Sequence, residues 1–356
     1  MFPAGPVYPL PWEEGVAFCL GRAEGMDHKP VPIDPRNALI HVVERAADMG
    51  YEVNIGAELE FFLLDPDTLR PRDSGIQVYS LTRAAELEHV IGPIRRHLNE
   101  VGIPIEQSNP EYAPGQVEVN IRYADALTGA DRAVAFRNHV KNLAHAHGYI
   151  ATFMSKPFAD LAGSSFHVHH SLWKNGVNLF ADGGKLSALG RNYLAGMQRS
   201  MSEMALVTAT TPNAYRRRQP DTFCPINDSW GIDNRTVGLR VIEGKDSAVR
   251  VEKRDGSADC NPYYLLACEI AAGLNGIEEG LEPTPMTDAN AYVSEDATPI
   301  PTDLATAVAL AKDSPLLNDV LGSDRLEILV GQAERKLPFF ADQVTSVEIE
   351  RYLRNF

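Results

Sequence analysis

Four short segments place polar or ionisable side chains on alternate residues: Glu58-Leu59-Glu60, Gln116-Val117-Glu118, His167-Val168-His169 and Arg250-Val251-Glu252-Lys253-Arg254. Alternate residues of a strand share a face, so each segment presents its set in one direction. A face bearing Glu58, Glu60, Glu118, His167 and Glu252 would repel itself unless cations occupied it. The donors are mostly oxygens with one or two imidazoles and no thiolate, which favours Mg²⁺ or Mn²⁺ over zinc. Glu111 and Glu118 bracket a Pro114-Gly115 turn that can fold one carboxylate back beside the other. Arg240, Arg250 and Arg254 alternate with apolar residues inside strands, and a half-buried guanidinium needs an anion such as phosphate or carboxylate. These features describe metals meeting an anionic substrate. The chain has neither a Walker A loop nor GxGxxG, so a nucleotide here is held by metals and arginines and not by a glycine cradle.

Other polar groups have plainer readings. His170 points away from His167 and His169 and is read as structural, and His139, His145 and His147 as surface or core-edge residues of a helix. The run Arg216-Arg217-Arg218 is read as a solvated basic face for two of its three members. The four cysteines (19, 224, 260, 268) show no CxxC pairing and serve as small apolar residues of a reduced, cytoplasmic enzyme.

The elements that must hold these groups can be read from punctuation and periodicity. Asp34 caps a helix that starts at Pro35 and ends before Gly50. A strand over 53–64 carries Glu58 and Glu60. A helix capped by Ser80 runs from 81 to about 102, a strand from 116 to 123, and another helix from 127 to 148. Residues 150–180 read as paired strands around a Gly163-Ser164-Ser165 turn. A long helix follows over 187–209, then a loop over 211–235 and strands at 236–243 and 248–254. The remainder is mostly helical, ending in an amphipathic segment at 348–353. Val16 to Leu20 reads as a lone strand. Strands set singly and in pairs among helices, with no regular βαβ beat, predict an α+β fold: a largely antiparallel curved sheet flanked by helices.

The 356 residues, 44% of them hydrophobic, suffice for a large core. A net charge of -15 argues against nucleic acid as a ligand, and no apolar run reaches membrane-spanning length.

Taken in order, GAELEFF, EYAPGQVEV, TFMSKPF…GSSFHVHHSL, PNAYRRRQP…NR…LRV and AVRVEKR…NPY resemble the catalytic domain of the glutamine synthetase family, over about residues 52 to 265. LPWEEGVAFCLG resembles the piece joining that family's N-terminal β-grasp domain to its catalytic domain. The resemblance implies a catalytic domain over 31–356, preceded by a remnant (1–30) of an otherwise missing β-grasp domain. It implies that ATP phosphorylates the γ-carboxylate of glutamate and that an amine then displaces phosphate. By motif position, Glu60, Glu111 and Glu118 would hold one divalent ion, and Glu58, His167 and Glu252 another. Glu106, Tyr123, His169 and Ser171 would contact ATP; Arg235, Arg240 and Arg250 the phosphates and transition state; Gly163, Arg217 and Arg254 the glutamate. Arg235, Arg250, Glu111 and Glu118 are the expected catalytic residues. A homo-oligomer, in the family's stacked rings, is implied as well.

Two departures face the substrate. The family's flap glutamate, which takes a proton from ammonium, falls on Phe223, and an asparagine that contacts glutamate falls on Ala162. On the order of one alkylammonium in a thousand is free base at pH 7, and a phenyl ring accepts no proton. The amine is therefore expected not to be ammonia, with Ala162 and Phe223 lining its pocket and the base elsewhere, at Asp221 or Asp228. A true glutamine synthetase is the alternative, and a catalytically inactive structural relative is the alternative of another class. No counterpart of the family's adenylylation-loop tyrosine is found at 277–296.

Overall fold

The computed structural model describes residues 2–354. Its core is a nine-stranded sheet built from β1 (Glu52–Leu64), β2 (Ile105–Pro110), β3 (Gln116–Asp125), β4 (Ile150–Thr152), β5 (Phe166–Lys174), β6 (Val177–Asn178), β7 (Trp230–Ile232), β8 (Leu239–Ile242) and β9 (Arg250–Lys253). The order is β7-β8-β9-β5-β1-β3-β2, with β6 on β5 and β4 on β1. Every pair is antiparallel except β7 with β8. The expected α+β sheet is therefore what the chain forms.

β1 is central because one of its faces is wholly apolar. Ile55, Ala57, Leu59, Phe61 and Leu63 are buried, and they meet Phe136, Val140 and Leu143 of a helix in one core cluster. At the expected close-burial scale of a few kcal/mol per large side chain, this face alone commits the strand's register. A one-residue slip would bury Glu58 and Glu60 among the helices.

The helices begin where their caps predict. Asp34 accepts from the Arg36 backbone N–H at the start of α1 (Pro35–Asp48), and Ser80 accepts from that of Arg83 at the start of α2 (Leu81–Glu100). They are followed by α3 (Ala126–Ala146), α4 (Ala188–Arg199), α5 (Pro262–Glu279), α6 (Leu304–Lys312), α7 (Pro315–Ala341) and α8 (Ser346–Tyr352). α4 and α5 cross at a pair of glycines. A Cβ on Gly196 would lie 2.1 Å from the Ala272 carbonyl oxygen, and one on Gly276 would lie 2.1 Å from that of Asn192.

Four expectations need correction. The strands at 150–152 and 166–174 do not pair with each other: both pair with β1, end to end along one edge. The helix expected over 187–209 breaks after Arg199 into turns and a single helical turn at Ala205–Thr208. The expected loop over 211–235 contains a helical turn, Pro212–Tyr215, and β7. The segment around Val16 is not a lone strand, since Ala17–Phe18 pairs with Tyr8–Pro9.

Candidate active site

Register brings the four alternating segments onto one face. Glu58 lies opposite His167 and Asn120, Glu60 opposite Glu118, and Glu252 opposite His169 and Arg240. The Pro114-Gly115 turn closes the β2–β3 hairpin as expected, with the Glu111 N–H donating to the Gln116 carbonyl at 2.9 Å. Glu111 thus arrives beside Glu118 although seven positions separate them in sequence.

The carboxylates sort into groups. Donor atoms of Glu60, Glu111 and Glu118 lie within 4.8 Å of one another, as do those of Glu58, Glu118 and His167, and those of Glu58, His169 and Glu252. Nδ1 of His167 stands 3.7 Å from Glu58 and 3.5 Å from Glu252, so Glu58, His167 and Glu252 also converge. Two neutral groups orient the acids: Asn120 donates to Glu58 at 3.1 Å, and the Ser165 backbone N–H donates to Glu60 at 2.8 Å. Sequence reading missed Asn120, although extending the alternation of Gln116 and Glu118 by one step reaches it.

Electrostatics divides the two ends of the cluster. Burial, reinforced by Glu58, Glu60 and Glu111, pushes the Glu118 carboxyl well above the usual range. Burial and then Glu60 raise Glu111 to about 7. Glu58 and Glu252 go the other way. Burial opposes their ionisation, but His169 and His167 hold Glu58 well down, and Arg254 followed by the same imidazoles depresses Glu252. Among the described residues, Glu60, Glu111 and Glu118 form no ion pair with any side chain. Three clustered carboxylates without a protein cation are the arrangement that divalent ions with oxygen-rich shells complete, and His169 Nε2, 2.8 Å from Glu58, stands at their edge. The donor set fits such ions.

Arginines border this cluster. Arg254 donates to Glu252 at 2.6 Å, and Arg240 donates to Glu252 at 3.2 Å and to Asp233 at 3.1 Å. Arg250 donates from Nε to Nδ1 of His169 at 3.1 Å. Arg235 meets the Tyr79 hydroxyl at 3.2 Å, a loop residue with φ of +54° that nothing in its local sequence marks. Arg217 and Arg218 are both buried and only Arg216 is exposed, so the run 216–218 is one solvated arginine and not two. His139 is buried at the edge of the core, as expected, its ring edge-on to the half-buried Trp12 and Phe18.

Glu106, Tyr123, His169, Ser171 and Arg250, all expected at a nucleotide, line one cavity of about 320 Å³ together with Glu58. Arg235 and Arg240 are not among its walls. Gly163 is pressed against Arg217: a Cβ there would stand 2.4 Å from Arg217 Cγ and 2.7 Å from the Ser155 carbonyl oxygen. Ala162 packs beside Phe62, Leu64 and Ala113. Phe223 is 53% exposed, with φ of +57°, and its carbonyl accepts from Arg254 at 3.4 Å. Of the two acids near it in sequence, Asp228 is engaged by the Thr298 backbone N–H at 2.7 Å and Asp221 is exposed.

A family model described as "Glutamine synthetase, catalytic domain" matches residues 32–352. The chain belongs to the glutamine synthetase family. It is therefore a carbon–nitrogen ligase, of a family that works with ATP and divalent metals. Glutamate–isopropylamine ligase of a Pseudomonas species is 35% identical over 360 residues, spanning 97% of this chain and 78% of that protein. Gamma-glutamylethanolamide synthetase of Streptomyces coelicolor is 35% identical over 354 residues, spanning 96% and 76%. A solved GmaS/ADP complex superposes with a TM-score of 0.91 at 32% identity, covering 98% of this chain and 83% of that one. Proteins named glutamine synthetase match as well, that of Clostridium saccharobutylicum at 33% identity. No helix of the described residues is long and apolar enough to cross a membrane.

Proposed function

We propose that this ligase joins the γ-carboxylate of glutamate to an amine other than ammonia. In this reading the γ-carboxylate attacks the terminal phosphorus of ATP, giving γ-glutamyl phosphate and ADP. The amine nitrogen then attacks the acyl carbon, phosphate leaves, and the amine proton passes to a base. Glu60, Glu111 and Glu118 would hold one divalent ion, and Glu58, His167 and Glu252 a second, Mg²⁺ or Mn²⁺ in each case. Bound there, such ions would neutralise charge on the phosphate oxygens.

The remaining roles belong to the chain's own side chains. The cavity walled by Glu106, Tyr123, His169 and Ser171 would hold the nucleotide, with Arg250 reaching its phosphates. Arg235 and Arg240, the latter bonded to Glu252, would meet the transferred phosphoryl group. Arg217, beside Gly163, and Arg254, beside Glu252, would take the two carboxylates of glutamate.

The choice of an organic amine rests on Phe223. Where the family carries the carboxylate that deprotonates ammonium, an exposed phenyl ring stands with its backbone on Arg254. Such a wall favours an amine with an apolar substituent over a small, strongly hydrated cation. The names of the isopropylamine and ethanolamide relatives agree with this choice. The relatives named glutamine synthetase favour the second reading, ammonia. Phosphate release from ATP, glutamate and Mg²⁺ or Mn²⁺ should be followed with ammonium, isopropylamine, ethanolamine and longer polyamines. Ammonium turnover equal to that of the best organic amine would overturn the proposal, and no turnover at all with ion binding intact would leave the inactive relative. A homo-oligomer of stacked rings belongs to the same proposal, read out as particle mass by light scattering.

A further inference from the structure

The strands that carry the site on their front faces are tied together from behind. On β9, Arg250 and Glu252 face the site, as does Arg254 just beyond it, and the same alternation turns Lys253 and Asp255 the other way. Lys253, Asp255, Glu269 and His170 are each 1% exposed or less. The Lys253 ammonium is clasped by Asp255 and lies 3.3 Å from one oxygen of Glu269. The other Glu269 oxygen is 3.0 Å from His170 Nε2, whose partner nitrogen is 3.1 Å from the Tyr193 hydroxyl. Glu269 on α5 therefore joins the backs of β5 and β9.

Asp255 is the end of this chain nearest the arginines. Its carboxylate is 3.7 Å from Arg218, which donates to Thr208 Oγ1 at 2.9 Å, and its backbone carbonyl accepts from Arg217 at 3.4 Å. Arg217 is thus held between Gly163 on one side and the Asp255 carbonyl on the other. Burying so many ionisable groups is a poor way to gain stability, because well-packed apolar residues of similar volume usually do as well. What a buried ionic network does supply is a preferred orientation for its members.

We infer that Asp255 is a positioning residue: anchored by Lys253 and Arg218, it sets the backbone carbonyl that aims Arg217 at the glutamate substrate. This rests on the reading of Arg217 as a glutamate contact. It makes glutamate affinity, and not the chemical step, the quantity that the buried network controls.

The test compares Arg217→Ala, Asp255→Asn and Arg218→Lys in the full chain. It measures KM for glutamate and for ATP, kcat, glutamate binding by calorimetry, and Tm. Asp255→Asn should raise the glutamate KM and Kd about tenfold, with kcat and the ATP KM within about twofold. Asp255→Glu should restore part of that loss. If Asp255→Asn does not fold, Arg218→Lys reads the same split, because it loosens the other anchor of Asp255. An unchanged glutamate KM and Kd in Arg217→Ala would overturn the underlying role of Arg217. A raised value there, with Asp255→Asn and Arg218→Lys losing only Tm or kcat, would overturn the positioning role alone.

Discussion

On the proposed reading of position 223, Phe223→Glu should raise this protein's use of ammonium. An amine with a lysine-like pKa is free base to about one part in 2,500 at pH 7, so a site without a base forfeits that factor. A well-placed carboxylate recovers roughly 10²- to 10⁴-fold by accepting the proton as the nitrogen attacks. The structure makes the exchange cheap. Phe223 is 53% exposed, so little buried apolar area is lost, and its left-handed backbone is already occupied by a residue with a Cβ. The change in stability should stay within about 1 kcal/mol. The Arg254 guanidinium, which touches the Phe223 carbonyl, would keep a new carboxylate ionised. We expect kcat/KM for ammonium to rise at least about 100-fold, that for isopropylamine to fall, and Phe223→Gln to show no ammonium gain. The assay is phosphate release over an amine series at pH 7. A variant with unchanged Tm and no rise with ammonium would refute the assignment of this position to the amine wall.

Three further outcomes follow from particular contacts. Gly163→Ala should raise the glutamate KM by about tenfold or more, since the new methyl group meets both Arg217 and the rigid Ser155 carbonyl; unaltered steady-state kinetics would show that the loop yields. Saturating Mn²⁺ at about 100 times its Kd should stabilise the chain by about 2.7 kcal/mol, seen as a Tm shift of a few degrees. That shift should shrink in Glu60→Ala, and an equal shift in the variant would place the ion elsewhere. Burial pushes His139 down to about 4, against an unfolded value near 6.5, so the unfolded chain binds the extra proton between those limits. Stability is therefore lost as pH falls from about 6.5 towards 4, by about 2 kcal/mol between pH 7 and pH 5. Denaturant midpoints should show that loss in the natural chain and a correspondingly smaller one in His139→Leu.

How much of this was legible in the sequence depends on the range of the interaction. The helix starts at Asp34 and Ser80 were readable because a cap is a contact between near neighbours, and both side chains bond the backbone as their positions require. The break after Arg199 was not, because no glycine or proline marks it; beyond it the turn at Ala205–Thr208 packs against α5 and α6. Of the run Arg216-Arg217-Arg218, spacing alone leaves two members as surface charge, whereas Arg217 and Arg218 are both buried. Their burial depends on Asp255, Thr208 and Pro301, partners as far as 83 residues away along the chain.

The sequence by itself determined which side chains share a face, since the two-residue period of a strand is a property of the backbone and needs no partner. Glu58 with Glu60, His167 with His169, and Arg250 with Glu252 and Arg254 were grouped on that ground alone. Only the tertiary structure decided which of these groups meet. Strand order and register are set by burying the apolar face of β1, and that places Glu60 opposite Glu118 and Glu252 opposite His169. It also decided what stands behind them. The partners of Lys253 and His170 come together on Glu269 of a helix whose sequence carries no mark of that role, because a buried ion pair is specified by packing in three dimensions and not by spacing along the chain.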